Sequence, residues 1–229
     1  MKNFLLSLKF IIKRVFRLTA ANIAWLIVTA LIVAIGTAAM GVEPVARGDY
    51  DYQSYLMMLP YWLVFLSFGL SSMYLDVYAS VYIRTSGLYK CLRTRAVQVF
   101  ILLFDVVTLI PAVIVTAVVN PAALPDFLLV SAIIIGISLP LSSAYFLMWI
   151  VFFGYSIFNL IAGFFGEHFM VEGFKFLPTE LTDSLPVAAL LSVAILLAGL
   201  IVSFIVSDII FRIRKRPRDR QMLKGTMQA

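Results

Sequence analysis

Cysteine, histidine and charged residues are all scarce in this sequence. Its 229 residues include one cysteine, Cys91, and one histidine, His168. A single cysteine excludes an internal disulfide framework, and a single histidine excludes a metal site built from several histidines. Only 13% of the residues are charged, whereas about 25% is usual in a soluble domain. Disulfide-stabilised secreted domains and ordinary soluble domains are therefore poor descriptions of this chain.

Sequence motifs for nucleotide hydrolysis and for intramembrane proteolysis are absent as well. The chain has no G-x-x-x-x-G-K-[ST] loop, no H-E-x-x-H and no G-x-S-x-G, so it lacks the usual phosphate cradle, zinc ligands and activated serine. We predict that the chain is not an enzyme and that it holds no catalytic residue, metal or cofactor of its own.

Apolar residues, by contrast, are abundant. They make up 62% of the chain, and the mean hydropathy is +1.02. Several runs reach the length of about 20 apolar residues that a helix needs to cross a bilayer, and the alternation typical of membrane strands does not appear. The net charge of +6 then indicates cytoplasmic loops and contact with membrane lipids rather than nucleic acid. We predict an all-α polytopic membrane protein.

The distribution of charge predicts which segments face the cytoplasm. Residues 1–17, 82–95 and 212–229 contain five, four and seven of the 18 lysines and arginines. The positive-inside rule assigns such segments to the cytoplasm, and the intervening acidic loops then face outwards. We therefore predict both termini in the cytoplasm and six transmembrane helices, at about 18–40, 55–81, 96–119, 127–141, 143–165 and 185–211. We call residues 82–95 the basic segment.

The apolar run from 127 to 165 carries no charge, so its topology is inferred from the sides of its flanking loops. Because both flanking loops are predicted outside, the run crosses the membrane twice or not at all. Its 39 residues reach roughly 58 Å as a helix, close to two crossings of a core about 30 Å thick. We predict a helical hairpin that turns at 138–143, where Pro140 and hydroxyl side chains favour a break. A re-entrant hairpin entering from outside satisfies the same parity.

Residues 1–17 have the pattern of an amphipathic helix lying in the membrane interface. Apolar residues and lysines separate onto different sides of a 3.6-residue helix. Cations interrupt the apolar stretch and no A-x-A site follows it, which is unlike a cleaved signal peptide. A basic flank of the first span is the alternative explanation.

Four polar residues within the predicted spans need partners, because a charge in hydrocarbon costs a few kcal/mol. They are Asp76, Asp105, Asn159 and Asp208. We expect Asp208 to pair with Arg212, four residues along, and the other two aspartates to pair with cations of the basic segment. We expect Asn159 to form a hydrogen bond between helices. A pathway for protons or cations is the alternative.

The sequence resembles permease subunits of ATP-binding-cassette transporters of the ABC-2 type, in particular short bacterial subunits without a fused ATPase. The likeness rests on the basic N-terminus, the segment ASVYIRTSGLYKCLRTRA at 79–96 and the segment IIIGISLPLSSAYF at 133–146. Many such subunits have a proline where Tyr82 or Ser86 stands here.

This resemblance implies a function and a set of partners. The basic segment would be a coupling helix resting on a separate ATPase subunit, which binds ATP and Mg. A second permease subunit, either identical or a sister chain, would complete the transport path in the bacterial cytoplasmic membrane, and export by alternating access would follow. The implied ATPase-contacting residues are Arg84, Gly87, Lys90, Arg93 and Arg95.

Two other functions remain open. The first is a non-transporting scaffold, assembly or regulatory subunit of a larger membrane complex. The second is an ion-coupled secondary carrier, for which we expect internal repeats, and none is evident in this sequence.

Overall fold

The computed structural model describes residues 2–17, 19–42, 86–143 and 184–214, together with 52, 55–56, 59–60, 62–64 and 66–67. Every regular element in these ranges is helical. Four stretches are long and apolar enough to cross a membrane, namely Asn22–Val42, Tyr89–Val119, Pro121–Ser142 and Leu185–Arg212. The predicted all-α class and the prediction of a membrane protein with transmembrane helices are confirmed.

The helical elements of these ranges are α1 (Lys2–Val15), α2 (Ala20–Val42), α3 (Tyr89–Cys91), a π-helical turn (Leu92–Ala96), α4 (Val97–Val119), a 3-10 turn (Pro121–Ala123), α5 (Leu124–Ser143) and α6 (Leu185–Arg214). Short connections join α1 to α2, and the elements between Tyr89 and Ser143 follow one another almost without a break. The described residues between 52 and 67, here called segment 52–67, are helical too. Four predicted regions lie wholly or largely outside the described residues. They are the second and fifth predicted spans, the acidic loop 166–184 before Ser184 and the tail after Arg214.

Helix α4 lies at the centre and packs against α1, α2, α5 and α6. Its buried side chains recur every three or four residues, as expected for one face of a helix that contacts protein while other faces meet lipid. This buried face contains Gln98, Ile101, Asp105, Leu109, Ala112 and Thr116.

Polar contacts at the basic end of the molecule fix the helix directions. Ser142, near the end of α5, lies 2.8 Å from the Gln98 side chain near the start of α4. Asp208, near the end of α6, pairs with Lys90 of α3. Helices α5 and α6 therefore both end beside the basic segment, so they run parallel to each other and antiparallel to α4.

Segment 52–67 runs antiparallel to α4. The Tyr52 hydroxyl donates a 2.8 Å hydrogen bond to Asp126, just beyond the end of α4, and the Ser67 hydroxyl donates one to Asp105 in the first half of α4. Later residues of the segment therefore contact earlier residues of α4.

Glycines bring α5 and α6 into backbone contact. A Cβ added at Gly199 would lie 2.5 Å from the Gly136 carbonyl oxygen and 2.8 Å from the Gly136 Cα. Small residues permit this approach, which is how membrane helices gain packing energy without a hydrophobic drive between them. Other parts of α6, such as Leu190 and Ile201, are exposed, as expected for a surface that faces hydrocarbon.

The predicted turn at 138–143 does not occur at those residues, because α5 remains helical through Pro140 to Ser143. The Ser138 hydroxyl donates a 2.8 Å hydrogen bond to the Ile135 carbonyl oxygen. Hydroxyl bonds of this kind and close neighbouring helices allow proline inside a membrane helix. Proline and serine together were therefore a poor signal for a break here.

Helix α1 uses one edge for packing and leaves a second apolar edge open. Ile11 and Val15 are buried, while Leu5, Ile12 and Phe16 are exposed. An exposed apolar edge beside a basic face is typical of a helix in the membrane interface.

Asn22 joins α1 to α2. Its side-chain amide donates hydrogen bonds to the backbone carbonyl oxygens of Arg14 (2.8 Å) and Arg17 (2.9 Å). Arg14 lies in the last turn of α1 and Arg17 two residues beyond its end, so these bonds tie the end of α1 to the start of α2. The polar residue of the first span thus has a structural role.

Replacing Asn22 with alanine is expected to loosen α1. Two neutral hydrogen bonds are lost, each worth about 0.5–1.5 kcal/mol, so trypsin should cleave after Arg17 several-fold faster. Thr29→Ala is the matched control, because the Thr29 hydroxyl bonds only to the Trp25 carbonyl of its own helix. Equal cleavage rates in the two variants would show that Asn22 does not hold the junction.

Candidate functional site

The basic segment forms a helical platform that leads directly into α4. Its described part comprises a turn at 86–88, then α3 and the π-helical turn. Leu92 and Thr94 are buried, and the platform packs against both α1 and α6. Single π-helical turns occur frequently at functional sites, and this one joins a basic part of the described chain to its central helix.

Arg93 is held against α6. Its Nη1 donates a 2.9 Å hydrogen bond to the Tyr89 hydroxyl, and its guanidinium lies 5.8 Å from the centre of the Phe211 ring. The Tyr89 and Phe211 rings are 5.7 Å apart. Arginine over an aromatic face is a favourable arrangement, so this predicted ATPase contact has partners within the chain.

Lys90 also reaches α6. Its Nζ lies 4.0 Å from Asp208 Oδ1, and the exposed fractions of the two side chains are 58% and 28%. So exposed and so long an ion pair contributes little stability. Asp208 thus pairs across a helix interface rather than with the Arg212 that sequence spacing favours.

The outer surface of the platform consists of Gly87, Lys90 and Arg95, which are exposed. A Cβ added at Gly87 would meet no atom within 4 Å. These three predicted contact residues are therefore accessible to a partner. Arg84, like the intramembrane candidates Asp76 and Asn159, lies outside the described residues.

Asp105 is completely buried on the inner face of α4. The Ser67 hydroxyl donates a hydrogen bond to Oδ1, whereas Oδ2 has no hydrogen-bond partner. No cation of the described part of the basic segment pairs with it, because Asp105 lies eight residues, or roughly 12 Å of helix rise, beyond the start of α4. The pairing expected from the sequence is replaced by a contact with a neutral hydroxyl.

Polar contacts recur along the inner face of α4 between the two ends of the molecule. At the basic end, Gln98 meets Ser142 at 2.8 Å. Asp105 follows seven residues after Gln98, and a buried Asp126 accepts from Tyr52 beyond the end of α4. Sequence reasoning missed Gln98, although its spacing of two helical turns from Asp105 places both on one face.

An apolar groove of about 1050 Å³ lies between α1, α2 and α4. Two of its three threonines, Thr29 and Thr108, direct their hydroxyls to carbonyls of their own helices, whereas the buried Thr37 hydroxyl has no hydrogen-bond partner among the described residues. The lining residues include Leu8, Ile12, Leu26, Val33, Phe104 and Val107.

Among the residues that the structure describes, no group of three or more histidine, cysteine, aspartate or glutamate side chains could hold a metal ion. The platform presents exposed cations and continues into α4, whose inner face carries Gln98 and Asp105. Comparison of the chain with protein-family models, curated proteins and solved structures gave no match.

Proposed function

We propose that this chain is a permease subunit of an ATP-driven transporter of the ATP-binding-cassette class, working with a separate ATPase subunit in the bacterial cytoplasmic membrane. One observation supports it most. The exposed basic platform continues without interruption through the π-helical turn into α4, the helix that carries the buried polar face. A partner that moves the platform would therefore move that face.

The platform has the properties that a coupling element needs. Lys90 and Arg95 offer exposed positive charge to a partner, while Leu92 and Thr94 anchor the inner side. Contacts with both α1 and α6 would spread a displacement to the two terminal helices. ATP and Mg belong to the partner, which closes on ATP and pushes on the platform during alternating access.

The proposal includes six spans with both termini in the cytoplasm. The parallel course of α5 and α6 supports it, because two parallel helices in one chain need a return between them. The basic residues near the N-terminus, in the platform and after α6 all favour the cytoplasmic side. Exposed apolar residues on α6 can contact lipid or a second permease subunit, which is either identical or a sister chain. The proposed direction of transport is export.

The native cysteine provides a test of this orientation and of a peripheral partner. Cys91 ends α3 and is partly exposed. A membrane-impermeant maleimide should label it in inverted vesicles but not in intact spheroplasts. Stripping peripheral proteins from the vesicles should speed labelling several-fold, because the ATPase would no longer cover the platform.

The matched control moves the cysteine to the opposite end of the molecule. Ala122 is exposed in the 3-10 turn after α4, so Ala122→Cys in a Cys91→Ser background should be labelled only in spheroplasts. Labelling of Cys91 from outside would contradict the orientation. Labelling at one rate before and after stripping would contradict a partner on the platform and favour a scaffold or regulatory subunit instead.

A further inference from the structure

Asp105 is a buried acidic residue to which coupling to an ATPase assigns no role. Its side chain has no exposed surface, one oxygen accepts from the Ser67 hydroxyl, and the other oxygen has no partner. An intramembrane carboxyl group that is this deeply buried is costly to retain and usually has a function.

The described surroundings of Asp105 supply no compensating positive charge. Helix α2 contains no charged residue, and neither does any described residue of segment 52–67. The aspartate of α5, Asp126, lies at the other end of α4 with Tyr52. On α6, Asp208, Arg212 and Arg214 lie at the basic end, where Asp208 meets Lys90. Among the described residues, no cation of α1 or of the platform forms an ion pair with Asp105. Gln98, on α4 itself, is neutral.

An unpaired carboxylate in such surroundings is more costly than the neutral acid. A metal ion is a poor alternative, because hard cations such as Ca²⁺ take about six to eight oxygen ligands, and Asp105 and Ser67 together provide three oxygens. A proton needs one oxygen, and Oδ2 is the one left without a partner.

We propose that Asp105 is an occluded proton-binding site, with the proton on Oδ2 while Oδ1 accepts the Ser67 hydroxyl. Buried apolar side chains on either side of Asp105 keep the bound proton from exchanging with solvent. Ile101 and Leu109, one helical turn to either side, are buried on the same face of α4 and separate Asp105 from Gln98 and from the far end. Exchange of the proton then requires α4 to move away from segment 52–67. This inference does not depend on the partner ATPase.

Infrared spectroscopy of the purified full-length chain in liposomes near neutral pH tests the site. A protonated carboxyl group gives a carbonyl band distinct from the carboxylate bands. The difference spectrum between wild type and Asp105→Asn, which keeps the shape and the acceptor for Ser67, should show the loss of one such band. Asp126→Asn, the matched control at a buried but hydrogen-bonded carboxyl, should retain it.

A second readout needs no variant. Transfer of the wild type to D₂O shifts the band of an acid whose proton exchanges, and an occluded site should shift at least tenfold more slowly than the exposed backbone amides exchange. A difference spectrum that shows only carboxylate bands would overturn proton binding. A shift complete as fast as amide exchange would overturn occlusion.

Discussion

Gly199→Ala is expected to destabilise the protein, although alanine favours a helix over glycine by about 1 kcal/mol. The added methyl group would lie 2.5 Å from the Gly136 carbonyl oxygen and 2.8 Å from the Gly136 Cα. Both are backbone atoms and cannot rotate away, so α6 must separate from α5. Overpacking typically costs about 1–3 kcal/mol, and contact between two backbones places this site at the upper end.

Thermal stability in detergent micelles, followed by the loss of monodisperse protein after heating, measures the effect. For a chain of this size, 1 kcal/mol corresponds to roughly 2–4 °C. Gly136→Ala, whose Cβ would approach Ile195 to 3.1 Å, should have a smaller effect. Gly41→Ala is the matched control, because it is also helical and its Cβ would meet only Val115 at 3.4 Å.

The order of the melting temperatures of the three variants tests the close contact between α5 and α6. We expect Gly199→Ala to melt lowest, Gly136→Ala next, and Gly41→Ala at or slightly above the wild type. If Gly199→Ala melts with Gly41→Ala, the close crossing of α5 and α6 is wrong. The parallel course of these helices, which supports six spans, would then lose its main packing contact.

Long apolar runs made the helical class and the membrane location predictable from sequence. Helices α2 and α4 begin just after basic residues. The turn predicted at 138–143 was wrong, because proline and serine are a local signal, whereas contacts with neighbouring helices stabilise α5 through these residues. Whether a membrane helix continues past Pro140 depends on serine hydroxyls and on close neighbouring helices, which composition does not show.

The partners of polar residues were the hardest part to predict. Spacing along one helix suggested Arg212 for Asp208, yet the structure pairs it with Lys90, because packing of α6 on the platform brings distant residues together. Likewise nothing in the sequence joins Asp105 to Ser67, which are 38 residues apart. Gln98 could have been found, since its spacing from Asp105 is a whole number of helical turns.

The platform charges are expected to hold the partner ATPase. Lys90→Gln combined with Arg95→Glu removes the two exposed cations of the described platform. Glutamine rather than glutamate at position 90 avoids a second acid beside Asp208. Arg93 is left unchanged because its contacts with Tyr89 and Phe211 are within the chain. Removing one partner of a charge pair that an interface buries costs about 2–5 kcal/mol, and about 1.4 kcal/mol already weakens binding tenfold.

The matched control makes the same charge change elsewhere on the cytoplasmic surface. Lys9 and Lys13 are exposed on α1, so Lys9→Gln with Lys13→Glu alters the net charge equally without touching the platform. If the platform cations acted only through topology or lipid headgroups, the two double variants would behave alike. Maleimide labelling of Cys91 verifies that each variant keeps the orientation of the wild type.

The most direct measurement is the amount of ATPase that copurifies with the full-length chain from its own membranes, identified by a G-x-x-x-x-G-K-[ST] peptide and by Mg-dependent ATP hydrolysis. The proposed function predicts that wild type and the α1 control retain this ATPase. The Lys90/Arg95 variant should copurify with about one tenth of the wild-type amount or less. Full retention by the Lys90/Arg95 variant, equal loss from both variants, or absence of any such ATPase from the wild type would contradict the proposal.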